Sequence, residues 1–554
     1  MKSIYKNKYE IFIFTFSIFI FLITNPGYHW QDYNYIHQRD FIDSILNYKA
    51  NAGYHLYFRP FMFLHLRFVD FLNSSEFFYN TFNSLSWIIS VFLFYYIFQI
   101  KKFTDIWFLL ICLFPTISSS IILSSLFLTF AHSFIIFSLS GFFLKKYFDE
   151  NKIIHLFLFN FFFIISLLFY EISVIFIPFY FIFINNKKKF IFLTLNLLLI
   201  IFFYILYNKV FIEILLQPND IDTRIRFFDL TLIPIFISNL LVSSRILIID
   251  IPQLFLTSLF NLINNINIIS LILPITFLIF CFFLIKKKIL EVRENNEKFI
   301  IIILFSFLLN IVLLSATNFP PLSYGNFNRG IVGFMFFIGC FLPLFIKKPF
   351  IKYIIVLFIF LNFVCFLNIR DNHKKIEEFK HQFLNVIKEE NKTKKIIIFP
   401  IGHKFNINGE EIYETENDAK SYFYGKSLIS FYNRKYDYNI LEKNINFLLP
   451  TRACNLIEYK KSLEAINFPI KIFIYNKNLN FISKIIYSQK EAIDYSSKNL
   501  NCKYSAKINH YYSQSYILTP YCREYFGNIK KLKKLYCKNL ISSYSNYSYF
   551  SSKL

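Results

Sequence analysis

The chain has no CxxC pair and no His–Cys cluster at zinc-ligand spacing, so a zinc site is not expected. No internal repeat is visible, and most of the long apolar runs are free of ionisable groups. Both absences argue against a transporter, which needs deep charges and paired broken helices. Glycine (11) and tryptophan (3) are scarce in the 554 residues. With heavy Phe, Ile, Asn and Lys usage, this scarcity reflects AT-rich coding DNA and carries no functional meaning. The first apolar run, Ile11 to Thr24, lacks a small-residue cleavage site and is followed by Asn25-Pro26-Gly27-Tyr28. It therefore reads as a retained first helix rather than a secretory signal.

What is present is apolar surface far beyond the needs of one soluble domain: 55% hydrophobic residues, 78 Phe and 38 Tyr. Stretches such as 193–207, 301–315 and 353–368 are hydrophobic all round, as helices facing lipid must be. Unpaired backbone groups are not tolerated in lipid, so the spans are expected to be helical. The expected fold is a polytopic α-helical membrane protein, with spans near 10–25, 82–100, 105–122, 124–144, 153–168, 170–185, 190–208, 268–285, 299–316, 330–346 and 350–368. That makes about 11 transmembrane helices.

The formal charge of +24 is explained without nucleic acid, because much of it sits in short clusters between apolar runs. If Lys101-Lys102, Lys145-Lys146, Lys187 to Lys189, Lys286 to Lys288 and Lys347-Lys348 are all cytoplasmic, the spans thread with the N-terminus inside and the C-terminus outside. Residues 26–80, 209–267 and 316–329 then face out. The apolar stretch Thr231 to Ile249 is either re-entrant or one of two crossings, and parity is kept both ways.

Composition changes at 370, dividing a membrane domain (1–369) from a charged tail (370–554) in which Lys395 to Phe399 and Ile470 to Tyr475 read as strands. The tail is expected to be an extracytoplasmic mixed α/β domain. It holds Cys454, Cys502, Cys522 and Cys537, which as an even set outside the cytosol allow two disulfides in three connectivities; in a cytosolic tail they would be free thiols. Cys112, Cys281, Cys340 and Cys365 fall in spans and read as small apolar fillers.

The first outer loop concentrates the chemistry. It opens Tyr28-His29-Trp30-Gln31-Asp32, continues through the amphipathic stretch Phe41 to Leu46, and carries Tyr57-Phe58-Arg59-Pro60. A carboxylate just outside the membrane can take a proton from an acceptor hydroxyl or hold a cation against phosphate. An arginine nearby can bind phosphate oxygens. Glu171 lies at the outer junction of two consecutive spans, and Arg329 at the outer entry of a later one. On this threading Asp32, Arg59, Glu171 and Arg329 share one level. The plainer readings are a solvated cap for Asp32, a snorkelling anchor for Arg59, and independent interfacial residues for the set.

At these residues the sequence resembles the type C superfamily of membrane glycosyltransferases, which includes protein O-mannosyltransferases and bacterial lipid-sugar transferases. The likeness lies in Trp30-Gln31-Asp32, Tyr57 to Pro60, and Tyr170-Glu171 through Pro178, and covers roughly residues 1 to 350 as a pattern. It implies a transferase of cell-envelope glycan biosynthesis in a plasma membrane, such as the bacterial inner membrane. The donor would be a polyprenyl-phosphate-linked sugar entering from the bilayer, and the acceptor a glycan, lipid or protein. Asp32 would act as the base, Arg59 and Arg329 would hold the donor phosphate, and Glu171 and Asp40 would support them. Many members carry a second acid beside the first and bind a divalent cation, Mg2+ or Mn2+. Here Gln31 and Tyr33 flank Asp32, and Asp40 or Asp43 would have to substitute. The competing classes are an O-antigen polymerase or ligase, suggested by Arg224, Arg226 and Arg245 in the later long segment, and a lipid-linked glycan flippase.

Overall fold

A computed structural model of the chain describes residues 8–24, 61, 76–116, 125–207, 232–264, 268–286, 297–316, 332–345, 349–390, 395–399, 404–407, 410–413, 445–447, 456–464, 466–475 and 481–499. The chain forms two compact units. The first comprises Met1–Asp32, Arg39–Leu232 and Phe236–Lys374, and the second Tyr33–Gln38, Ile233–Ile235 and Lys375–Leu554.

The first unit is a helix bundle. Its elements begin with α1 (Lys8–Ile23), α2 (Glu76–Ile97), α3 (Lys101–Thr104), α4 (Trp107–Cys112), α5 (Ser125–Glu150) and α6 (Ile153–Phe169). A 3-10 helix (Glu171–Phe183) and α7 (Lys187–Leu206) follow. Next come α8 (Leu232–Arg245), a π turn (Ile246–Asp250), α9 (Ile251–Asn264), α10 (Ile268–Lys286), α11 (Glu297–Ala316) and α12 (Val332–Phe341). The last helix, α13 (Pro349–Glu390), passes through the composition change at 370 without a break. Among the described residues, three helices are long and apolar enough to cross a membrane: Lys187–Leu206, Glu297–Ser315 and Phe350–Asp371. Their outward apolar side chains, such as Leu195, Phe202, Ile301 and Phe305, are exposed in the isolated chain, as a lipid-facing surface would be.

Two of the expected spans take other forms. The described part of the run from 105 is the short helix α4, entered through Asp105 at positive φ (50°). Every residue from Ile106 to Phe114 is buried at 1% exposure or less, so this apolar segment is bundle core rather than lipid-facing wall. Close packing here requires glycine, since a Cβ on Gly339 of α12 would sit 2.6 Å from Cys112 Sγ. The run from 170 is a 3-10 helix whose faces are covered by α5, α6, α11 and α12. At roughly 2 Å rise per residue its 13 residues extend about 26 Å, against about 20 Å for an α-helix of that length. Tighter winding thus lets a short segment nearly match a hydrocarbon core of about 30 Å.

The basic helix ends meet on one face of the bundle. Glu10 at the start of α1 pairs with Lys101. Phe103 stacks on Phe299 at 4.2 Å, and Lys298 Nζ donates to the Ile184 carbonyl (2.5 Å) beyond the end of the 3-10 helix. Lys189 Nζ donates to the Phe148 carbonyl near the end of α5 (3.0 Å). Amide and hydroxyl pairs join the helices elsewhere. Asn362 donates to the Ile111 and Phe114 carbonyls and accepts from Thr116, while Asn160 and Asn196 exchange amide bonds between α6 and α7. Such pairs are how polar side chains are satisfied in apolar surroundings.

In the second unit a four-stranded sheet has the order β4-β1-β5-β6, from β1 (Lys395–Phe399), β4 (Ile445–Phe447), β5 (Ile470–Tyr475) and β6 (Phe481–Ile486). β1 is parallel to β4 and β5, with Ile396 beside Lys471, and β6 is antiparallel to β5. β2 (Lys404–Ile407) and β3 (Glu410–Tyr413) form a separate antiparallel pair. Helices α14 (Leu456–Glu464) and α15 (Gln489–Asn499) contribute Tyr459, Leu463 and Ala492 to a core with Ile397, Ile470, Ile472 and Ile474. Burial pushes the Tyr459 phenol up to about 12, and its hydroxyl bonds Ser496 at 2.7 Å.

Candidate functional site

Glu171 is the sequence-derived site residue within the described structure. Asp32, Asp40, Arg59 and Arg329 lie outside it, as do Cys454, Cys502, Cys522 and Cys537. Glu171 opens the 3-10 helix, half-buried, directly after Tyr170, whose extended backbone (φ −165°, ψ 119°) turns the chain out of α6. A carboxylate at that end is favoured by the helix dipole.

Three serines fix the turn. The Ser133 hydroxyl of α5 lies 2.8 Å from the Ser166 carbonyl and 3.1 Å from the Tyr170 carbonyl. Ser166 answers by donating to the Ser133 carbonyl at 2.9 Å. Ser173 adds its hydroxyl and backbone N–H to the Tyr170 carbonyl at 3.3 and 3.4 Å. The peptide that bears Glu171 is therefore tied to α5 as well as to its own helix.

His132, next to Ser133, faces the same end. Its ring lies 5.8 Å from Phe82 and 6.3 Å from Phe169, and Nε2 is 3.1 Å from Ser86 Oγ. Ser86 is also 2.9 Å from the Phe82 carbonyl, to which its hydroxyl donates. One turn away, Asn83 is 2% exposed, and among the described residues neither atom of its amide has a partner. Leaving a buried amide unmet costs about 1–3 kcal/mol.

The first loop reaches this end through Phe61. Its ring stacks on Phe169 at 5.5 Å, 28° from parallel. Phe169 precedes Glu171 by two residues, so the Phe61 ring packs close to the turn that bears Glu171. His132, Ser133, Ser166 and Asn83 escape a reading of composition, because each is a single polar residue in an apolar run. The signal for His132 was its ionisable ring within a span, which is costly unless used.

No family model, curated protein or solved structure matches the chain.

The site therefore rests on its own chemistry. It offers a carboxylate at a helix start, an imidazole in contact with a serine hydroxyl, a buried amide and three aromatic rings. Among the described residues there is no group of three His, Cys, Asp or Glu side chains able to hold a metal ion. Asp32, Asp40 and Asp43, the carboxylates that would hold a divalent cation, lie outside the described residues.

Proposed function

We propose that the chain is an integral membrane glycosyltransferase that moves a sugar from a polyprenyl-phosphate donor to an acceptor hydroxyl at the non-cytoplasmic face. The observation that carries this reading is a carboxylate, Glu171, opening a helix within the bundle, with the Phe61 ring stacked on Phe169 two residues before it. The proposed arrangement has about eleven spans, a cytoplasmic N-terminus and an extracytoplasmic C-terminal domain. The clustering of basic helix ends on one bundle face supports that orientation.

In this mechanism the acceptor hydroxyl loses its proton to the Asp32 carboxylate as its oxygen bonds to the anomeric carbon. The bond from that carbon to the phosphate oxygen breaks, and the electron pair leaves with the lipid phosphate. Attack from the opposite side inverts the anomeric centre. Arg59 and Arg329 stabilise the charge that develops on the leaving phosphate. Glu171, at the neighbouring turn, orients the sugar or the acceptor through its carboxylate, and Asp40 supports Asp32.

The test is single-turnover transfer in nanodiscs from a polyprenyl-phosphate hexose, with released polyprenyl phosphate as the readout. Wild type should release it. Asp32→Asn should lose transfer by at least about 100-fold, the lower range for a removed general base, while expressing and inserting normally. Equal turnover in the two proteins would remove Asp32 from the reaction.

A further inference from the structure

Arg370 ends the apolar stretch Phe350–Asp371 of α13, the depth at which lipid headgroups begin. Arginines at that depth ordinarily snorkel to water. Arg370 instead turns into the bundle and is 1% exposed. Its guanidinium lies 4.9 Å from the Phe21 ring and 5.6 Å from the Phe366 ring. Nε donates to the Thr24 carbonyl at 2.7 Å and Nη2 to the Phe21 carbonyl at 3.1 Å, so the cation caps the last turn of α1.

This accounts for two of the three nitrogens. Among the described residues Nη1 is buried with no acceptor, and no carboxylate pairs with the guanidinium. A helix end supplies roughly half a unit of negative charge, and aromatic faces add a weaker attraction. A full positive charge withdrawn from water is left short of a counter-charge, and the vacant donors are those that bind phosphate oxygens best.

We propose that Arg370 is an anion site that takes a phosphate oxygen through the N–H groups of Nη1. The shared chemistry is the phosphate group of a membrane lipid or a free phosphate ion. The site lies outside the Arg59 and Arg329 set and requires no sugar, so it stands apart from the glycosyl-transfer reading.

The test uses the purified full chain in a zwitterionic detergent. Its melting temperature is followed against dioctanoyl phosphatidic acid and, separately, against inorganic phosphate, at constant ionic strength. The wild type should be stabilised progressively with concentration. Stabilisation by the lipid alone assigns the site to a lipid phosphate, and stabilisation by both assigns it to the phosphate group from either source. Arg370→Gln should lose the response. Arg370→Lys, which keeps the charge without the planar fork, should weaken apparent affinity at least tenfold, and it decides the matter if the Gln variant does not fold. No response in wild type, an equal response in Arg370→Gln, or unchanged affinity in Arg370→Lys would overturn the proposal. Because the probes carry no sugar, that result would leave glycosyl transfer untouched, and a failed Asp32→Asn test would leave this site untouched.

Discussion

Ser133→Ala tests whether the serine clamp serves the site or only the bundle. The hydroxyl shares one hydrogen between the Ser166 and Tyr170 carbonyls, at 2.8 and 3.1 Å. Removing it orphans neither acceptor. The Ser166 carbonyl keeps the Tyr170 N–H at 3.0 Å, and the Tyr170 carbonyl keeps Ser173 through its hydroxyl and N–H. The loss is therefore that of a net hydrogen bond, with no desolvated group left behind. In membrane helices this amounts to about 0.6 to 1.7 kcal/mol. Thermal melting in nanodiscs should fall by only a few degrees. Catalysis should suffer more, because the Tyr170 carbonyl is one peptide bond from Glu171, and a misplacement of about 1 Å in a reacting constellation costs on the order of 100-fold. Turnover of the polyprenyl-phosphate donor by Ser133→Ala, and by Ser133→Ala/Ser166→Ala, should drop well beyond what stability explains. If both variants melt lower yet transfer at the wild-type rate, the clamp does not position the site and Glu171 has no role in it.

Two further outcomes follow from the polar pairs. Asn196→Leu strands the Asn160 amide at membrane depth and should destabilise the bundle by about 0.6 to 1.7 kcal/mol. Asn160→Leu/Asn196→Leu should recover most of that, and a double variant as unstable as either single one would refute the pairing. In the second unit, the salt bridge from Lys484 (2.8 Å) and the Tyr487 N–H hold the Glu491 carboxyl below the ordinary value of 4.5. A depressed folded-state pKa contributes stability above 4.5 that is lost as pH falls through the folded value. Glu491→Gln should flatten the acid limb of the unfolding profile below pH 4.5, and an unchanged limb would dismiss the contact. At the end of α5, hydrogen bonds from Lys152 and then His155 likewise pull the Glu150 carboxyl down to about 2.

How far the sequence was legible depends on which force decided each element. After its three lysines, the helix Lys187–Leu206 is apolar and largely exposed, and hydropathy identifies it as long and apolar enough to cross a membrane. Ile106 to Phe114 is equally apolar because protein surrounds it, and hydropathy cannot distinguish the two cases. The 3-10 winding of Glu171–Phe183 left no periodic trace, since every face of the segment is apolar. Arg370 shows the limit from the polar side. By composition it opens the charged tail, yet its guanidinium is enclosed by Phe21, Phe366 and the end of α1. Glu171 was accessible to reasoning because a carboxylate at the membrane edge needs a purpose. Ser133 and Ser166 were not, because a serine between apolar neighbours declares no partner until the helices are packed.

The account depends most on the first loop and the Glu171 turn occupying the face opposite the basic helix ends. Topology reporters inserted within residues 26–80 of the full chain measure that directly. A periplasmic phosphatase inserted there should be active and a cytosol-dependent fluorescent reporter dark. A fluorescent reporter with an inactive phosphatase would put Asp32 and Arg59 in the cytosol and contradict the proposed transfer at the outer face.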